Sequence, residues 1–71
     1  MMQIYKIIIA EKIRDFRKEK RLSQSEFGKL IGVSAQAVSK WEKNKCCPDA
    51  VIFPNIASIL ECRTDDFFEI I

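Results

Sequence analysis

Seventy-one residues suffice for one domain with a modest core, stable only if its elements pack well. Hydrophobic residues at 48% beside 31% charged exclude a disordered chain, and two Gly with two Pro favour helices over a turn-rich sheet. A net charge of +2 with no His leaves the chain without the commonest general base and the commonest metal ligand.

Taken in order, the chain opens with MMQIYKIIIA, an apolar run that is short and interrupted by Lys6. It has no basic lead and no small-residue cleavage site, so it does not read as a targeting segment. No stretch reaches the length of a membrane span, and the cytoplasm is the default location. Residues 1–7 form an arm that either alternates as a short strand or extends the helix behind it. From residue 8 to residue 71 the pattern is that of a single helical domain. Helix one is expected over Ile8–Lys20, with Ile9, Ile13 and Phe16 on its core stripe. Arg14, Arg17, Lys18, Lys20 and Arg21 crowd its other faces.

Ser23 and Glu26 form an S-x-x-E capping box, which starts helix two at Gln24. Phe27, Leu30 and Ile31 recur at helical spacing, and Gly28 is small where two helices must approach. Gly32 follows, where a tight turn needs a residue free to take positive φ. Ser34 caps helix three, and Val38 and Trp41 give it an apolar face on which Ala37 also falls. This spacing resembles a helix-turn-helix, two short helices at a tight turn whose second member can enter the major groove of DNA.

Helix three, about Ser34–Glu42, is the stretch with chemistry to offer. At about 100° per residue, Gln36, Ser39, Lys40 and Lys43 lie opposite Val38 and Trp41. That outer face holds an amide, a hydroxyl and two ammonium groups, with no carboxylate. Gln pairs with an adenine edge, Lys reaches guanine O6 or N7, and Ser contacts either. The plain alternative is a solvated polar face, which most such faces are; the turn, the cap and the basic flank argue against it here. Residues 1–45 carry 11 Lys/Arg against 5 Asp/Glu, while residues 46–71 carry 1 against 5. A basic front half suits a phosphate-facing surface, and the acidic rear half then points away from DNA.

Beyond Asn44, which tolerates the left-handed conformation and so ends the helix, residues 46–53 read as a loop with a turn at Pro48 and Asp49. Cys46 and Cys47 lie in it, either incidental or redox-active. An adjacent Cys pair and one distant Cys do not match a zinc site, and an odd count argues against a disulfide framework. No metal and no cofactor is expected. Helix four has Pro54 in its first turn and Ile56, Ile59 and Leu60 on its apolar face. Cys62 falls in the apolar pattern and reads as core. Thr64, with Asp65 and Asp66 behind it, is expected to cap helix five. Phe67, Phe68, Ile70 and Ile71 then either close the core or leave an apolar patch for a dimer.

LSQSEFGKLIGVSAQAVSKWEKNK, residues 22–45, resembles the phage-repressor (Cro-type, XRE) helix-turn-helix family. The likeness covers about residues 9–70, since IAEKIRDFRKEKRLSQ ahead of it and PDAVIFPNIASIL and TDDFF behind it match in order and spacing. It implies an all-α, five-helix, lambda-repressor-like domain with a central helix-turn-helix. It also implies that Gln24 reaches a phosphate from the start of helix two, and that Glu42 pairs with Arg17. The chain departs from the family's usual pattern at Ala10, Arg21 and Glu61, often Gly or Asn, and at Lys43–Asn44, usually Asn then Gly.

The combined expectation is a sequence-specific regulator of transcription, a repressor rather than an enzyme, that binds double-stranded DNA as a homodimer. Ala35, Gln36, Ser39 and Lys40 read bases, with Ala35 against a thymine methyl. Arg17, Gln24, Ser34, Lys43, Asn44 and Lys45 hold phosphates. The rival is a protein-binding module, such as an antitoxin or regulatory partner, that works through the terminal apolar surface.

Overall fold

A computed structural model describes residues 5–70, of which the side chains of residues 5 and 6 are left aside. Strand β1 (Tyr5–Ile7) leads into helices α1 (Ile9–Glu19), α2 (Gln24–Ile31) and α3 (Ala35–Glu42). A short 3-10 turn (Ala50–Ile52) then enters α4 (Phe53–Leu60), and a second one (Thr64–Phe67) leads to strand β2 (Phe68–Ile70). Among the described residues, no helix is long and apolar enough to cross a membrane.

The helix ends follow local chemistry. Ser23 Oγ accepts the Glu26 N–H at 3.0 Å, and Glu26 Oε1 accepts the Ser23 N–H at 2.9 Å, which completes the capping box of α2. These bonds hold the Glu26 carboxyl below its usual range, through the backbone N–H of Ser23 above all. At α3, Ser34 Oγ accepts the Ala37 N–H at 3.2 Å. All four helices end in the left-handed region: Arg21 at φ 57°, Gly32 at 88°, Asn44 at 58° and Glu61 at 56°. In each, the next amide reaches back over the turn, as with Lys45 N–H to the Lys40 carbonyl at 2.9 Å. Only Gly32 takes that conformation without a Cβ penalty. Arg21 and Glu61, which stand where the family often has Gly or Asn, are strained.

The four helices wrap a core of Ile9, Ile13, Phe27, Val38, Trp41, Ile56, Ala57 and Phe67. Phe27 and Phe67 are fully enclosed, each worth about 1.5–3 kcal/mol of burial. Phe16 meets Phe27 edge to face at 6.0 Å, and Phe53 meets Phe67 at 5.8 Å. Gly28 lets α2 close on α3, because a Cβ there would stand 2.5 Å from the Val33 carbonyl oxygen.

The expected fifth helix is a correction. Thr64–Phe67 makes one 3-10 turn, closed by the Asp66 carboxylate accepting the Arg63 N–H at 3.0 Å, and Thr64 caps nothing. The chain then extends, because β1 is there to take its hydrogen bonds. β1 and β2 pair antiparallel, Tyr5 with Ile70, Lys6 with Glu69 and Ile7 with Phe68. Ile8 N–H continues the contact to the Phe67 carbonyl at 2.8 Å. Aromatic and β-branched residues alternating with a charge suit this ladder better than another helical turn. Of the two readings of the arm, residues 5–7 take the strand. The rest of the arm, residues 1–4, and Ile71 of the terminal apolar group lie outside the described residues.

Candidate nucleic-acid interface

The pattern of α3 sorts its side chains as its angular spacing requires. Val38 and Trp41 are buried under α1 and α2. Gln36, Lys40 and Lys43 are exposed on the opposite side, with Ser39 and Ala35 half-buried along its edge. Ser34 is exposed at the N-cap, and its hydroxyl keeps a free O–H while the oxygen accepts from Ala37. Past the helix end, Asn44 and Lys45 are exposed. Eight of the ten expected contact residues therefore lie along one continuous strip, from Ser34 and Ala35 through Gln36, Ser39 and Lys40 to Lys43, Asn44 and Lys45.

Glu42 is the one carboxylate of α3, and its treatment decides the sign of this surface. It turns inward, 5% exposed, onto the guanidinium of Arg17 from α1. Arg17 Nε donates to Oε2 at 2.8 Å and Nη2 to Oε1 at 2.9 Å, the two-pronged geometry that favours an Arg–carboxylate pair. Gln24 Nε2 leans on Oε1 at 3.4 Å, and Arg14 Nη1 donates to the Glu42 carbonyl at 3.2 Å. Burial alone would lift the Glu42 carboxyl. Hydrogen bonds from Arg17 and Gln24, with the charges of Arg17 and Arg14, outweigh it and hold the group below the usual range. The same pair pushes Arg17 up. With its carboxylate withdrawn and neutralised, the outer face of α3 keeps only the positive charges of Lys40, Lys43 and the nearby Lys45.

This geometry qualifies two expectations. Arg17 was expected at a phosphate, but Nε and Nη2 serve Glu42 and Nη1 donates to the Leu22 carbonyl at 3.1 Å. It joins α1, the α1–α2 turn and α3 from within, and these contacts use three of its five N–H groups. Gln24 is half-buried and shares its amide with Glu42, so one of its N–H groups faces inward. Arg14 was not singled out as a contributor. Its position three residues before Arg17, one turn along the same helix face, was the available signal.

Residues 13–67 match the family described as Helix-turn-helix, and the chain belongs to it. It is 33% identical over 58 residues to Repressor protein C2 of Salmonella phage P22, a match that covers 82% of this chain and 27% of C2. The chain thus spans about a quarter of that protein. It is 32% identical over 59 residues to the uncharacterized HTH-type transcriptional regulator YazB of Bacillus subtilis (strain 168), covering 83% of this chain and 86% of YazB. In structure it is similar to the P22 c2 repressor protein crystallised in complex with a synthetic operator. The TM-score is 0.77 at 31% identity, over 87% of this chain and 94% of that one.

Proposed function

We propose that this chain is a sequence-specific DNA-binding regulator of transcription that lays α3 in the major groove. The observation that carries the reading is the outer face of α3, where Gln36 and Lys40 stand exposed and the helix's single carboxylate is neutralised from behind by Arg17. An amide and an ammonium group on one groove-sized helix are what direct readout of base edges uses. The relatives named as a repressor and as a transcriptional regulator support the same conclusion.

In this reading Gln36, Ser39 and Lys40 contact base edges, and Ala35 packs against a thymine methyl. Ser34, Lys43, Asn44 and Lys45 grip phosphates on either side, and Gln24 offers its outward N–H and the helix start to another. Arg17 acts through Glu42, as a positioning residue for α3. The output is repression, by a two-fold dimer whose half-sites lie roughly 34 Å apart. The apolar face of the β1–β2 ladder supports a protein contact, since Ile7, Phe68 and Ile70 are 39%, 38% and 59% exposed.

The test is Gln36→Ala and Lys40→Ala, each measured against a preferred duplex and a scrambled one. Loss of discrimination between the two duplexes supports the reading. Unchanged discrimination overturns it, and moves the function to the exposed ladder and a protein partner.

A further inference from the structure

The α3–α4 loop carries two thiols that the DNA reading leaves unused. Cys46 and Cys47 are adjacent, free and exposed. The loop is pinned on both sides of them. Lys45 N–H closes on the Lys40 carbonyl at 2.9 Å, and Pro48 is buried. The thiols therefore stand at a fixed place beside Lys43, Asn44 and Lys45.

The spacing of the pair selects its chemistry. Consecutive residues across a trans peptide hold their Cα atoms about 3.8 Å apart. An ordinary disulfide needs roughly 4.4 Å or more, so a bond between these two sulfurs is strained and the dithiol form is favoured. An atom inserted between the sulfurs removes that restriction, because they need only converge on it. Zinc is a poor candidate, since it takes four nitrogen or sulfur ligands. Among the described residues, no group of three or more His, Cys, Asp or Glu is placed to hold a metal ion. The pair suits a soft, three-coordinate centre that brings its own third substituent.

We propose that Cys46 and Cys47 form a dithiol site for a monosubstituted trivalent arsenical, and that its occupation loosens the grip of Lys43, Asn44 and Lys45 on DNA. The reaction balances without an oxidant. Two S–H bonds and the arsenic–oxygen double bond break, two As–S bonds form, and the oxygen leaves as water with both thiol protons. Arsenic stays trivalent. The ring that results draws both side chains to one side of the loop and adds an organic group beside the phosphate grip. The effect on DNA rests on the function proposed above; the dithiol site does not. Cys62 is no rival, being a single, half-buried thiol whose ionisation is opposed by burial and then by Asp66.

The experiment titrates the reduced full chain with phenylarsine oxide and reads intact mass and free thiols. One phenylarsenic group per chain, with loss of two of the three thiols, is the expected result; a small dithiol reverses it and a monothiol does not. Cys46→Ser and Cys47→Ser each weaken uptake by about 100-fold, the usual advantage of a second linked contact, and Cys62→Ser leaves it unchanged. Uptake that survives either loop variant, or depends on Cys62, overturns the site. Loading is then expected to weaken binding to a selected duplex by about tenfold, on the scale of lost phosphate contacts, in the native chain and not in the double Ser variant. A loaded chain with unchanged DNA affinity overturns the regulatory half. An unloaded chain that binds no duplex defeats the DNA reading instead, and mass and thiol count still decide the site.

Discussion

Arg17 and Glu42, 25 residues apart in the chain, meet in two near-parallel hydrogen bonds of 2.8 and 2.9 Å. This pair ties α1 to α3 and withdraws the only acid of α3 from the surface. Removing one partner strands the other. Arg17→Ala should therefore cost about 2–3 kcal/mol in urea unfolding, at the lower end for a buried pair because Arg17 keeps an exposed edge. Glu42→Gln should cost less, and the double variant less than the sum of the two. Strictly additive losses would mean the pair is not coupled.

Acid sensitivity follows from the same contact. The Glu42 carboxyl is held below its ordinary value of 4.5, so the folded chain binds that proton less readily than the unfolded chain. The pair's stabilisation is then complete at neutral pH and fades as pH falls from about 4.5 through the lowered folded value. Unfolding midpoints measured between neutrality and that window should drop, and Glu42→Gln should flatten the drop.

The left-handed helix ends offer stabilising changes. Arg21→Gly and Glu61→Gly remove a Cβ from φ 57° and 56°, and each should gain about 0.5–1 kcal/mol net of the added chain entropy. Gly32→Ala should lose about 1 kcal/mol by the reverse argument. Gly28→Ala should lose about 1–3 kcal/mol by overpacking, since its Cβ would meet the backbone oxygen of Val33 at 2.5 Å. Thermal melting of the four variants checks the order.

The DNA-contact residues should separate into two behaviours. Gln36→Ala and Lys40→Ala should each cost about 1–3 kcal/mol on the preferred site and relax preference at one position. Lys43→Ala and Lys45→Ala should weaken all duplexes alike, each lowering the salt dependence by about one ion. Titrations at several salt concentrations distinguish the two patterns.

The parts of this fold that are legible in the sequence are those set by local rules. Ser23 with Glu26, Ser34 and Gly32 mark their helix ends because capping and positive φ depend on a few neighbouring residues. The outer face of α3 follows from spacing alone. Phe67–Ile70 is less legible, because its choice between helix and strand is made by β1, more than sixty residues away. Arg17 shows a different difficulty. Its pairing with Glu42 is implied by the family resemblance, but the burial of that carboxylate and the third bond to Leu22 depend on contacts across the fold. Arg21 and Glu61 resemble ordinary surface residues; the family's preference for Gly or Asn at their places is the signal in the sequence, and the strain itself shows in the backbone angles.

The most direct test of the central claim is selection from a pool of random duplexes at two salt concentrations. The account predicts enrichment of a two-fold symmetric site, with affinity falling steeply as salt rises. Weak binding with no enriched sequence at either salt would contradict it, because a face that reads base edges must prefer some of them.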